Sequence, residues 1–339
     1  GGSSASAGFA RWRPEWLWGL TLRSSWYEKG KLMTRYVFGR LLGAIPTIFL
    51  IVTISFFLIR IAPGGPFDLE RPLEAKVMEN LNKIYHLDEP LWTQYLLYLK
   101  SISQLDFGPS FYFRDFTINE LFAASLPISI QLGLSALALA LVVGGLMGVV
   151  AALRQNGPAD YSVMAVATLG VTIPNFVVAP VLTLLLGVWL GWLPVGGWGD
   201  GAFVNKILPV VTLALPQIAV IARLTRGSMI EALRSNHVRT ARAYGLTNYL
   251  VIVVHTLRGA ILPVVSYMGP AAAALLTGSV VVETIFGIPG IGRYFVQGAL
   301  NRDYTLVMGT VVVVACFVII FNLVVDLLYA LLDPRVRYD

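Results

Sequence analysis

Charge is what this sequence has least of. Asp, Glu, Lys and Arg make up 13% of its 339 residues, where a soluble domain carries about a quarter. That balance excludes an ordinary water-surrounded globular fold, and a hydrophobic share of 56% points to a membrane protein. Three histidines and one cysteine exclude a disulfide framework and argue against a multi-ligand metal site. Cys316 lies in an apolar run and reads as a small core hydrophobe. No phosphate-cradling loop is present: the Gly30-Lys31 pair is followed by Leu32 and lacks the required context. Gly287–Gly292 (GIPGIG) has Pro289 inside it and reads as a tight turn rather than a dinucleotide fold. No Ser/His/Asp set or carboxylate pair has supporting context, and His237 and His255 read as solvated or hydrogen-bonding groups. The net charge of +6 reflects cytoplasmic loops in such a protein, not nucleic acid.

What the chain does have is long apolar runs. Residues 1–32 differ from the rest: Gly1–Gly8 resembles a flexible linker or tag remnant. Arg11–Tyr27 mixes Trp12, Trp16, Trp18 and Trp26 with Arg11, Arg13 and Arg23, which fits an interfacial helix; an unstructured extension is the alternative. Met33 is the expected natural start. The first transmembrane helix falls in 33–62, with Pro46 a candidate kink and Arg60, close to its end, a snorkelling residue. Residues 63–124 are polar and predict a helical extramembrane segment. In it, Asp88-Glu89-Pro90 opens a helix with Leu91, Trp92, Tyr95, Leu99 and Ile102 on one side, and Thr117-Ile118-Asn119-Glu120 reads as a capping box.

Five further spans are expected at about 125–153, 161–191, 206–233, 251–282 and 304–332, each long enough for the ~20 residues that cross hydrocarbon. Pro174-Asn175 interrupts the third of the six, a feature tolerated where a helix packs on protein or lines a cavity, so both residues are candidates for a pathway or gate. The fifth span is dense in small residues, from Gly269 and Ala271 to Gly278, which allow close helix approach. Six spans place both termini on one side. With the termini in the cytoplasm, 16 of the 25 basic residues are cytoplasmic, and the outer parts hold 9 basic and 12 acidic residues; the basic excess per short loop favours that orientation. Glu231 and Asp326 near span ends leave a proton relay conceivable, although both sit close to the hydrated face.

One stretch fits neither lipid nor an ordinary connection. Ser235–Pro263 is basic and punctuated by Gly245, and predicts a cytoplasmic loop (235–250) with its own short helix able to dock on a soluble partner. Its Arg239–Leu246 (RTARAYGL), followed by Leu262-Pro263, resembles the EAA loop of the membrane subunits of binding-protein-dependent ABC importers. The likeness to the oligopeptide/dipeptide permease branch runs from about Met33 to Tyr338. It includes Leu58–Pro66 (LIRIAPGGP), Tyr85–Tyr95 (YHLDEPLWTQY), Asp106–Ser110 (DFGPS), Thr225–Met229 (TRGSM), Ser266–Pro270 (SYMGP), Glu283-Thr284-Ile285 and Gly298–Tyr304 (GALNRDY). Arg239 and Thr240 stand where the motif has its name-giving Glu and Ala, and Tyr244 stands where Lys is expected.

The resemblance implies an all-α polytopic membrane protein of the type I ABC importer permease fold, with six transmembrane helices, a permease domain over 125–333 and a cytoplasmic tail at 334–339. It implies a multi-pass subunit of a bacterial inner membrane, non-catalytic, that carries oligopeptides. The implied partners are a second homologous permease subunit, two ATPase subunits that bind ATP and Mg, and an extracytoplasmic peptide-binding protein. No cofactor is expected on this chain. The residues that would couple to the ATPases are Arg239, Thr240, Ala241, Arg242, Ala243, Gly245, Leu246 and Pro263. Another cargo (a dipeptide, nickel chelate or sugar) is the nearest alternative. A self-sufficient secondary transporter or channel is the more remote one, since neither repeat symmetry nor a clear intramembrane charge pathway is visible.

Overall fold

The computed structural model describes residues 16–61, 87–113 and 115–332. Residues 1–15 of the N-terminal extension, 62–86 of the segment after the first span, and the tail from 333 lie outside them. The chain divides into two compact units, Gly1–Thr47 with Arg335–Asp339, and Ile48–Pro334. The described part of the first unit is the leading stretch of α1 (Trp16–Ile61), which runs through Pro46 without a break. Phe38, Leu41, Leu42 and Ile45 are exposed there, as side chains facing lipid would be.

The second unit is helical among the described residues, apart from its loops and one bridge between Pro109 and Thr117. After the end of α1 come α2 (Leu91–Ser103), α3 (Ile118–Leu153), α4 (Pro158–Thr172), α5 (Asn175–Trp189), α6 (Phe203–Leu233) and α7 (Asn236–Ala243). They are followed by α8 (Asn248–Ala260), α9 (Leu262–Phe286), α10 (Ile291–Leu300) and α11 (Tyr304–Leu332). Four helices can each cross a bilayer by length and composition: α1 over Val37–Ile61, α3, α6, and α11 over Tyr304–Leu328. Three pairs are bent, α4 with α5 by 105°, α8 with α9 by 48°, and the end of α9 with α10 by 84°, so that up to seven crossings are available. Each bend falls at a proline or glycine (Pro174, Pro263, Gly287), where the helical hydrogen-bond ladder is interrupted.

Local chemistry sets several boundaries. Thr117 and Glu120 form the expected capping box: Thr117 Oγ1 accepts from the Glu120 amide at 3.3 Å, and Glu120 Oε2 accepts from the Thr117 amide at 2.8 Å. These bonds start α3 at Ile118, ahead of Ser125, where the apolar run begins. Within α5, residues 183–189 are wound more widely, and the Leu190 amide reaches back to the Leu185 carbonyl at 3.1 Å; such widened turns are uncommon inside helices.

The centre of the unit is the α3–α6 pair. A Cβ on Gly144 would lie 2.7 Å from the Ile218 carbonyl oxygen, and one on Gly148 would lie 2.5 Å from the Thr225 Cβ and 2.6 Å from the Ala222 oxygen. The two backbones therefore touch across a small-xxx-small face. Ala136, Ala140, Leu213, Ala214 and Ile221 bury themselves around that contact. The fifth expected span also approaches closely, since a Cβ on Gly269 would meet Asn322 Oδ1 at 2.4 Å.

Two buried carboxylates close one end of the helical unit. Glu283 on α9 accepts from Ser129 Oγ of α3 at 2.7 Å and from the Gly292 amide at 2.8 Å, while Ser129 Oγ accepts from the Ile291 amide at 2.9 Å. The GIPGIG turn is thereby fastened to α3, with Gly287 left-handed at φ 65°. Asp303 caps α11, its Oδ1 accepting from the Leu306 amide at 3.1 Å. Its Oδ2 accepts from the amides of Phe111 and Tyr112, both at 3.1 Å, and from Ser110 Oγ.

Candidate functional site

At the opposite end of α6, α7 forms from Asn236 to Ala243 because its sequence is amphipathic over two turns. Val238 and Ala241, three residues apart and so on one face, are buried against Val251 of α8. Arg239, Thr240, Arg242 and Ala243 are exposed on the other side. His237 Nε2 lies 3.0 Å from the His255 carbonyl oxygen, a second tie between α7 and α8.

The helix stops at Gly245. The Gly245 amide donates to the Arg242 carbonyl at 3.0 Å, and the Leu246 amide donates to the Ala241 carbonyl at 3.3 Å. Together with φ +75° at Gly245, this is a Schellman stop, in which glycine takes the left-handed position at least cost. A Cβ at Gly245 would meet nothing within 4 Å, so the requirement is conformational and not one of space. Tyr244 projects beside it, 82% exposed.

The structure thus gathers Arg239, Thr240, Ala241, Arg242, Ala243, Gly245 and Leu246 into one helix and its stop. Pro263 is placed apart, exposed in the first turn of α9 at the 48° bend from α8. A separate cluster joins the neighbouring helices, with Ala152 of α3, Met229 of α6 and Ala260 of α8 buried together. Asp160 stands beneath the same end. It is 1% exposed, and its Oδ1 and Oδ2 accept from Arg226 Nε and Nη2 at 2.5 and 2.7 Å. Arg234 Nη2 donates to Gln155 Oε1 at 3.1 Å, binding the α3–α4 loop to the end of α6.

Pro174 and Asn175 lie elsewhere, at the 105° turn between α4 and α5. Pro174 is extended at φ −63°, ψ 147°, and its carbonyl accepts from the amides of Val177 and Val178 at 2.9 and 3.1 Å. Asn175 Oδ1 is buried with no hydrogen-bond partner among the described residues. Among those residues, no three His, Cys, Asp or Glu side chains come together as a metal site. Sequence reasoning missed Asp160, Glu283 and Asp303 as organising groups. The available signal was that Asp303 and its partner Ser110 each sit in a motif of the family resemblance, as does Glu283.

Apolar helices in this number, bent at proline and glycine, define a polytopic membrane protein, and comparison with known proteins specifies the class. Residues 140–338 match the family model described as "Binding-protein-dependent transport system inner membrane component", and residues 33–110 match its N-terminal counterpart. The chain belongs to this family of transport-system membrane components. It is 51% identical over 306 residues to the oligopeptide transport system permease protein OppB of Haemophilus influenzae, covering 90% of this chain and 100% of the relative. It is 53% identical to the protein of the same name from Escherichia coli K12, over the same shares. The dipeptide transport system permease protein DppB of Bacillus subtilis is 44% identical, over 90% of this chain and 98% of the relative.

Proposed function

We propose that this chain is the membrane-spanning, non-catalytic subunit of an ATP-driven importer of oligopeptides, which an extracytoplasmic binding protein delivers. The observation that carries the reading is identity of 51% and 53% across the whole length of relatives named as oligopeptide transport permeases. Two ABC ATPase subunits hold ATP and Mg, and a second, homologous permease subunit completes the pathway. Both termini face the cytoplasm. The membrane is crossed six times, with α4–α5 and α8–α9 counted once each and α10 returning to the outer face. The basic residues around α7 support that orientation.

In this reading α7 is the coupling helix. Its exposed face (Arg239, Thr240, Arg242, Ala243) and the Gly245–Leu246 stop sit in a cleft of an ATPase subunit. Closure of the ATPases displaces α7. Val238 and Ala241 pass the displacement to Val251 of α8, and the Ala152–Met229–Ala260 cluster spreads it to α3 and α6. Pro263 is the joint at which α8 and α9 change direction, and Pro174-Asn175 is a bend able to line or gate the pathway. ATP and peptide then favour different states of one bistable assembly.

The test is to purify the chain with the subunits that accompany it, reconstitute the complex, and measure ATP hydrolysis and uptake of labelled peptides. Peptide-stimulated hydrolysis and ATP-dependent uptake are expected. Uptake that persists with the ATPase subunits removed overturns the reading. The 44% identity to a dipeptide permease favours dipeptides as the second reading. Failure of peptides longer than two residues to compete for the binding protein and for uptake would select it.

A further inference from the structure

Arg60 lies in the last turn of α1. Its guanidinium carbon is 5.0 Å from the centre of the Phe56 ring and 5.9 Å from that of Tyr304, and Nη1 donates to Gln94 Oε1. Gln94 is itself fixed, Nε2 donating to the carbonyls of Leu87 at 3.2 Å and Glu89 at 2.7 Å. Arg60 is therefore held by two aromatic faces and one neutral oxygen. Among the described residues it forms no ion pair; the pair found there is Arg226 with Asp160. Arg60 Nε and the Tyr98 hydroxyl are both buried without a hydrogen-bond partner among those residues.

Both side chains line one cavity of about 220 Å³ between α1, α2, the loop before α3 and the start of α11. Phe56, Leu97, Phe107 and Met308 give it apolar walls, and Ser101 adds a hydroxyl. Arg60 ends the apolar run Val37–Ile61, which sets it at the depth where hydrocarbon gives way to headgroups. The neighbouring helix α2 exposes Trp92, Leu96 and Leu97, the aromatic and aliphatic face of a helix that lies in that interface. A guanidinium with no counter-ion and buried donors with no acceptor among the described residues, set in apolar walls at headgroup depth, together describe a site for an amphipathic anion.

We propose that this cavity binds the phosphate of a glycerophospholipid. Arg60 supplies the charge and Tyr98 a hydroxyl donor, and the apolar walls receive the start of an acyl chain. Bound there, the lipid joins α1 to α2 and to the first turn of α11.

The test uses the full chain with its accompanying subunits, exchanged into a phosphorus-free detergent. Retained phospholipid is counted by total phosphorus and by mass spectrometry of the extracted lipid. Arg60→Gln is expected to lose about one phospholipid per chain relative to the unsubstituted protein, as removal of a headgroup-binding cation does. Ser101→Leu puts a bulkier apolar side chain into the cavity lining and leaves Arg60 and Gln94 themselves unchanged. It is expected to lose the same lipid while keeping the unsubstituted protein's thermal unfolding, so it decides the matter if Arg60→Gln fails to fold. Phosphatidylglycerol vesicles are expected to restore the lipid to the unsubstituted protein, and a large excess of inorganic phosphate is expected to leave it in place. Equal retained phosphorus in the unsubstituted protein and in Ser101→Leu overturns the proposal. So does displacement by inorganic phosphate, which would assign the pocket to a free anion.

Discussion

Ser110 and Asp303 are 193 positions apart in the sequence and share a buried hydrogen bond. Asp303 is fully buried, and its second oxygen caps α11, so one carboxylate sets both where the last span begins and where the loop before α3 lies. Replacing it with Ala leaves the amides of Phe111, Tyr112 and Leu306 without their acceptor. A buried donor left unmade costs about 1–3 kcal/mol; Asp303→Ala is expected to lower stability by roughly that amount or more. Asp303→Asn keeps one acceptor oxygen and is expected to lose less. Thermal unfolding of the purified protein in detergent ranks the three.

Gly245 closes α7 in a left-handed conformation with open space around it. A side chain there is penalised for backbone conformation alone, by about 1–2 kcal/mol, and most for β-branched residues. Gly245→Val is expected to lower peptide uptake per ATP hydrolysed, or to lose the ATPase subunits on purification. Gly245→Asn, which tolerates positive φ, is expected to keep more of both. Equal coupling in Val and Asn variants would remove the turn from the coupling argument.

Gly148 and Gly145 are near neighbours on α3 with opposite surroundings. A Cβ at Gly148 collides with Thr225 and the Ala222 carbonyl, while one at Gly145 meets nothing within 4 Å. Gly148→Ala must push α3 and α6 apart and is expected to destabilise by roughly 1–3 kcal/mol, the usual scale of overpacking. Gly145→Ala is expected to leave the unfolding of the isolated chain unchanged. The contrast is read from paired melting curves.

Asp160 and Arg226 tie the first turn of α4 to α6 by two hydrogen bonds. Arg226→Lys keeps the charge and loses the fork that matches a carboxylate, so it is expected to melt below the unsubstituted protein. Asp160→Asn is expected to melt lower still, because it leaves Arg226 without its counter-charge. Exchanging the two residues, Asp160→Arg with Arg226→Asp, is expected to recover part of the loss if the pair itself is what matters.

The features legible in the sequence are those written into a few consecutive residues. Thr117 and Glu120 announce a helix start because their bonds are local. Pro174 announces a break, and Gly245 a stop, because each restricts or frees its own backbone. The sizes of the bends are not local: whether Pro174 yields a gentle kink or a turn of 105° depends on what α4 and α5 pack against. Pairings across helices were hidden for the same reason. The run of small residues at 269–278 points to a close approach, yet nothing near Gly148 says that its neighbour is Thr225. Nothing in the sequence pairs Asp160 with Arg226 until the fold puts one in reach of the other. Arg60 reads as a snorkelling cation until the Gln94 oxygen and the Phe56 ring turn it toward a cavity.

The stop at Gly245 is made entirely by main-chain groups, with amides closing on the carbonyls of Ala241 and Arg242. Shape and surface are therefore specified by different atoms at this corner of the molecule. If α7 docks on an ATPase as proposed, exchanging Arg239, Arg242 and Tyr244 would refit that surface to a different ATPase without redrawing the bend that carries it. A permease rewired in this way would keep its mechanics and change only its allegiance, which makes these exposed positions the natural ones for building chimaeric importers.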